Sequence, residues 1–233
     1  MIPVTLPAQP PNFVEDVLTP GQQFLSRVPS PTNDDWKRHR YWRKIHGYLH
    51  QQLRGICNYS ASFTAFPSRN SNTEKTSIDH FIPKKVPPHH QAYEWNNLRL
   101  SRSRLNGRKA DYQDVVDPCA IALGWFKLDF TTLFIEPDPD PNRCPLQERS
   151  KVIATIERLE LNADDEYVNE RTRVVYAYAE GRMTFAEVET LYPFIADQMT
   201  YQDFDNLFLA DIRSALQSPF ARAAFLRLGL VEP

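Results

Sequence analysis

The chain has 233 residues, 42% hydrophobic and 24% charged, which is the make-up of a globular protein able to bury a core. No apolar run approaches the roughly 18 residues of a membrane span, and the opening MIPVTLPAQPPNF has neither the basic nor the apolar region of a secretory signal. Three widely spaced cysteines, Cys57, Cys119 and Cys144, cannot pair fully, so a reducing, cytoplasmic setting is expected, with no membrane as a partner.

The net charge of −2 conceals an asymmetry. Residues 36–110 carry 15 Lys/Arg against three acids, Glu74, Asp79 and Glu94, and all six histidines fall in the same stretch. A basic, histidine-bearing segment inside an otherwise acidic chain points to a polyanion as ligand, unless the two surfaces neutralise each other within the fold.

Residues 1–33 hold seven of the 19 prolines and little periodicity, and read as an extended arm. Asn33 or Asp34 then caps a basic helix starting near Asp35, with Trp42, Ile45, Leu49 and Leu53 on one apolar face. Lys37, Arg38, Arg40, Arg43 and Lys44 crowd its first two turns, where the helix dipole disfavours cations, a conflict that hints at phosphate contacts. From Gly55 to Pro88 the chain turns to short strands and loops, punctuated by Pro67, Asn70, Asn72 and Pro83. A short helix is expected over Ser103 to Tyr112, a β-hairpin over 124–136, and helices beyond. Val152, Ile153, Ile156 and Leu159 form one stripe, Thr184 with Glu187 makes a capping box, and Ser218-Pro219 opens a last helix that Gly229 could close.

The chemistry is concentrated between Ser77 and Asp111. Asp79 and His80 follow a short strand, SID, and a single site there requires a turn just after Asp79, because strand neighbours face opposite ways. Asn106 opens a helical segment that also carries Arg108, Lys109 and Asp111. A carboxylate and an amide oxygen are hard ligands that suit Mg²⁺, a neutral imidazole beside them can take a proton from water, and nearby Lys and Arg can hold phosphates. These are the parts of metal-assisted phosphodiester hydrolysis.

At these residues the chain resembles the HNH endonuclease family, whose core is a ββα-metal fold. Asp79-His80, Asn97 and Asn106 occur in the family's order, Asn97 and Asn106 nine residues apart, within Ile-Asp-His-Phe-x-Pro-Lys and Trp-x-Asn-Leu-x-Leu. The resemblance implies His80 as general base, Asp79 and Asn106 as ligands of one Mg²⁺ or Mn²⁺, and Asn97 as the residue that braces the loop and orients His80. Lys84, Lys85, Arg102, Arg108 and Lys109 are the expected nucleic-acid contacts. Many relatives carry two Cys-x-x-Cys pairs around a structural zinc. Here the first reads Cys57-Asn-Tyr-Ser60 and the second falls at Arg102 and Leu105, so no structural zinc is expected. Packing of Tyr93, Trp95, Leu98, Leu100 and Leu105 must stabilise the core in its place. His46 and His50 share a helix face with no third ligand in sight, and His89-His90 lie in a proline-rich loop.

The layout also looks like that of bacterial HNH proteins of this size, some of them nuclease subunits of Septu-like and retron-associated anti-phage systems controlled by an ATPase partner. The expectation is therefore an α+β chain: an arm (1–33), a basic helix with the HNH core (34–120), and a hairpin with a mostly helical, acidic C-terminal region (121–233) packed as one unit with the core. DNA is favoured as substrate. An RNA (tRNA) endonuclease and a catalytically weak nucleic-acid-binding subunit are the alternatives.

Overall fold

The computed structural model describes residues 1–68 and 74–227. Asn70, Asn72 and Gly229, named above, lie outside the described residues. The described chain is a helix-rich α+β protein with two small antiparallel sheets, and it divides into two compact units, Pro3–Ile121 and Ala122–Pro233 together with Met1–Ile2. No described helix is long and apolar enough to cross a membrane.

In Pro3–Ile121 the first difference from expectation is the N-terminal segment. Only its first dozen residues are extended. Val14–Leu18 forms a π-helical turn that runs into α1 (Thr19–Arg27). Phe13, Val17 and Phe24, spaced by four and seven, bury against Trp36, Trp42 and Tyr93 in the core. Pro20 sits in the first turn of α1, where its missing N–H costs nothing. Gly21 is required at its position, because a Cβ there would lie 2.2 Å from the Tyr93 ring.

The basic helix is broken in two. α2 (Asn33–Arg38) is capped by Thr32, not by Asn33 or Asp34: the Thr32 hydroxyl accepts the Asp35 amide, and Asp35 Oδ2 accepts the Thr32 amide at 2.9 Å. After His39 the chain tightens into a 3₁₀ segment, Tyr41–Ile45, then continues as α3 (His46–Gln52). The break removes the expected dipole conflict. Asp34 and Asp35 occupy the first turn of α2, while Lys37 and Arg38 fall in its last turn, where cations are favoured. Trp42, Ile45 and Leu49 still share the buried face, with Leu53 packed at its edge. Leu49, Leu98 and Leu100 are fully enclosed, each contributing on the order of 1.5–3 kcal/mol from burial.

β1 (Thr76–His80) pairs antiparallel with β2 (Leu98–Arg102), with Asp79 opposite Arg99 and His80 opposite Leu98. α4 (Ser103–Lys109) follows β2 without a linker and ends at Ala110, whose φ of 43° breaks the helix. Asn58 stitches the preceding turn to β2: its amide donates to the Leu100 carbonyl at 2.8 Å, and its Oδ1 accepts the Leu100 amide at 2.8 Å. Cys57 Sγ accepts the Arg102 amide at 3.3 Å.

In the second unit, β3 (Phe126–Leu128) and β4 (Ile135–Pro137) form the expected hairpin. Seven α-helices follow among the described residues: α5 (Arg149–Arg158), α6 (Asp165–Ala179), α7 (Phe185–Leu191), α8 (Pro193–Tyr201), α9 (Phe204–Leu207), α10 (Leu209–Gln217) and α11 (Pro219–Arg227). Val152, Ile156 and Leu159 are buried, but Ile153 turns outward, because it lies about 100° round the helix from Val152. The Thr184–Glu187 capping box forms as its spacing predicts.

Candidate active site

Thr76 to His80 run along one wall of a cavity of about 630 Å³, which Asn106 of α4 and residues of α2 and the 3₁₀ segment complete. The strand does not turn after Asp79; it continues through His80, so the two side chains leave on opposite faces. Both nevertheless border the cavity, as does Asn106.

His80 is buried. Its ring and that of Trp42 pack at right angles, with ring centres 4.4 Å apart. Its Nε2 lies 3.1 Å from the Ala92 carbonyl oxygen. A carbonyl can only accept, so Nε2 carries the proton and Nδ1 keeps its lone pair. Burial, reinforced by the charges of Lys84 and Lys109 and opposed by the Ala92 bond, pulls its pKa from 6.5 to about 3. The ring is therefore a neutral base at physiological pH.

Asp79 is almost fully enclosed. Its Oδ2 accepts a 2.6 Å bond from the Tyr59 hydroxyl, and Lys109 Nζ stands 3.3 Å from the same oxygen. Burial, together with this carboxylate, raises the Tyr59 hydroxyl well above its ordinary pKa and keeps it a donor. Asn106 spends both amide hydrogens on β1, donating to Ser77 Oγ at 3.0 Å and to the Ile78 carbonyl at 3.1 Å. Its Oδ1 has no hydrogen-bond partner among the described residues, and Asn106 lines the same cavity as Asp79. One carboxylate and one amide oxygen beside a solvated cavity fit a hard divalent cation that retains several waters. The Lys109 ammonium at Asp79 offsets part of the charge such an ion would meet. Groups of three or more His, Cys, Asp and Glu placed to hold a metal do not occur among the described residues.

Asn97 ties the loop that follows β1. Its Oδ1 accepts the Ile82 amide at 2.6 Å, and its Nδ2 donates to the Ile82 and Gln91 carbonyls at 2.9 and 3.0 Å. Ala92, which holds the His80 ring, follows Gln91 directly.

The expected nucleic-acid contacts separate into two groups. Lys84 and Lys85 border the cavity, Lys85 in an exposed pair with Asp111 at 3.1 Å. Burial lowers the Lys84 ammonium, with Lys85 and Arg40 adding to the effect and Asp111 and Asp79 opposing it. Lys109 and Arg102 cannot serve as expected. Lys109 is wholly buried, its ammonium bound to Asp79 and to the His80 carbonyl at 2.9 Å. Arg102 is 4% exposed, and its guanidinium bonds Thr64 Oγ1 and the Phe63 carbonyl. The reason in both cases is direction: each side chain points under the sheet, where a hydrogen-bond partner repays burial of its charge. Arg108 is half-buried on α4 and does not border the cavity.

Sequence reasoning did not place Tyr59, Lys75 or Asn58 near the site. Arg40 and Arg43, singled out only as part of a charge cluster, both border the cavity. His46 and His50 do not converge: His46 Nε2 bonds Thr76 Oγ1 and His50 Nε2 bonds the Thr64 carbonyl. Comparison with known proteins finds no matching family model, curated protein or solved structure.

Proposed function

We propose that the Pro3–Ile121 unit carries an HNH-type ββα-metal nuclease site that hydrolyses phosphodiester bonds in DNA. The observation that carries this reading is the state of His80: Nε2 is committed to the Ala92 carbonyl, Nδ1 keeps its lone pair, and the residue borders a cationic cavity that Asp79 and Asn106 also line. The β1–β2 hairpin followed directly by α4 is the order of elements such a core needs.

In this reading His80 Nδ1 takes a proton from a water in the cavity. The water oxygen bonds to phosphorus as the bond from phosphorus to the 3′ oxygen breaks, and the leaving oxygen collects a proton from solvent. General-base catalysis of this kind contributes typically ~10²–10⁴-fold. Asp79 and Asn106 would hold a Mg²⁺ or Mn²⁺ ion, which supplies Lewis-acid stabilisation of charge on the phosphate. Asn97 acts through the 82–97 loop and Trp42 through ring contact; both position His80 without touching substrate. The resemblance of the chain's layout to bacterial anti-phage HNH proteins leads us to read it as a cytoplasmic effector under the control of a partner ATPase.

The test incubates the full chain with supercoiled plasmid and, separately, with total tRNA, in Mg²⁺ or EDTA, beside His80→Ala. Nicking or linearisation of plasmid that disappears in EDTA and in the variant is the expected result. Cutting of tRNA alone would move the substrate to RNA. Binding without cutting would favour a nucleic-acid-binding subunit, and cleavage that survives both EDTA and His80→Ala would overturn the mechanism.

A further inference from the structure

Six cations border the cavity among the described residues, Lys37, Arg40, Arg43, Lys75, Lys84 and Lys85, against two carboxylates, Asp79 and Asp111. Both carboxylates are already engaged, Asp79 by Lys109 and Asp111 by Lys85. Lys37 pairs outside the cavity with Asp34 at 2.8 Å, and Lys75 donates to the Ser68 carbonyl. Arg40, Arg43 and Lys84 have no carboxylate within ion-pair distance among the described residues. Arg40 nonetheless stands close enough to Lys84 to oppose its charge. Asp111 and Asp79 offset part of the charge on Lys84, and Arg40 and Arg43 add two guanidinium charges to the same cavity, an excess of positive charge that an anion relieves.

The broken helix produces this arrangement. His39 is held in place by stacking on Phe24, with ring centres 3.9 Å apart, and by the Tyr93 hydroxyl, which donates to its carbonyl at 2.8 Å. The backbone leaves the helical region at His39, φ −114° and ψ 45°, stays outside it at Arg40, φ −83° and ψ 53°, and the Arg43 amide closes back on the Arg40 carbonyl. In this turn Arg40 and Arg43 reach the cavity while Trp42, between them, packs on His80. In a continuous helix Arg40 and Arg43 would still share a face, but Trp42, about 200° round from Arg40, could not stand at the same wall with both.

We propose that Arg40, Arg43 and Lys84 form a clamp for a backbone phosphate of DNA next to the one that is cut. This rests on the nuclease reading of the same cavity and names the groups that hold its substrate. Guanidinium forks grip phosphate oxygens in a bidentate manner, and the ammonium of Lys84, which borders the same cavity, adds a point charge. Because Trp42 lies between the two arginines, a strand seated on them is brought up against His80. The clamp is blind to base identity, since it touches only the backbone.

The experiment measures anisotropy of a fluorescein-labelled DNA duplex with the full chain in EDTA, across a KCl series. It compares wild type, Arg40→Gln/Arg43→Gln and Lys44→Gln. All three residues are exposed, so thermal midpoints should agree. Lys44 lies outside the cavity and pairs with Asp16 at 3.0 Å, which makes it the control for general surface charge. A neutralised phosphate contributes about 0.9 to the slope of log K against log salt, so the double variant, which loses the guanidinium grip on one phosphate, should lose up to about one unit of slope and bind at least tenfold more weakly in low salt, while Lys44→Gln stays near wild type. Equal losses in the double and the control variants, or none in either, overturn the clamp. Plasmid cleavage by wild type with DNA binding unaffected in the double variant would refute the clamp and leave the nuclease standing. The expected binding losses in a wild type that cuts nothing would refute the nuclease and leave a phosphate clamp on a binding protein.

Discussion

Lys109 Nζ lies 3.3 Å from Asp79 Oδ2 with the two side chains 0% and 4% exposed, so the candidate metal ligand is half of a buried ion pair that also reaches the His80 carbonyl. The pair joins α4 to the end of β1. Breaking such a pair from one side strands a charge away from water, at a cost of about 3–5 kcal/mol. Lys109→Met should lose an amount in that range by urea denaturation. Asp79→Asn combined with Lys109→Met should recover more than half of it, because no charge is then left unpaired.

Asn97 gives an independent test of the loop that holds His80. Asn97→Asp keeps the shape but replaces two amide donors with an acceptor facing the Ile82 and Gln91 carbonyls. The expected loss is about 2–4 kcal/mol, with hydrogen exchange accelerating at Ile82 and Gln91 while the Leu100 amide, bonded to Asn58, stays protected. Equal acceleration at Leu100 would mean that the loop has no stability of its own.

Gly21→Ala places a methyl group inside the Tyr93 ring contact. The ring is fixed on the far side by Trp36, Trp42 and Tyr41 and cannot simply withdraw. Overpacking of this kind costs typically about 1–3 kcal/mol, and the thermal midpoint should fall accordingly.

Acid stability should depend on His46. Burial, with help from the charges of His50 and Arg43, lowers its pKa from 6.5 to about 4. Between those values the unfolded chain binds a proton that the folded chain refuses, so stability rises with pH across the window. It is complete above 6.5 and is lost as pH falls toward 4. One such proton changes the unfolding free energy by at most about 1.4 kcal/mol per pH unit. His46→Gln should flatten the profile between pH 6.5 and 4 without removing it, because His80 titrates in the same direction down to about 3.

Much of the candidate site was legible because its parts are close in the chain. β1, β2 and α4 span Thr76 to Lys109, and the spacing of Asp79, His80, Asn97 and Asn106 is set within that span. Composition misled at the N-terminus, where seven prolines outweighed the 13, 17, 24 spacing that buries Phe13, Val17 and Phe24. The charge of Lys109 suggested a surface role, whereas its place three residues after Asn106 turns it under the strand toward Asp79. Asn58 and Tyr59 carried no local signal at all. Their partners lie 42 and 20 residues away, and only the folded chain brings them together.

The turn at Cys57 settles how this unit meets its chemical surroundings. Amide dipoles of Asn58 fasten it to β2, and the enclosed Cys57 sulfur merely receives an N–H from Arg102. Burial pushes the Cys119 thiol up to about 11, so it stays protonated. Iodoacetamide and mild peroxide should therefore leave the unit folded, a resistance to oxidative stress that a thiolate-anchored knuckle would not share.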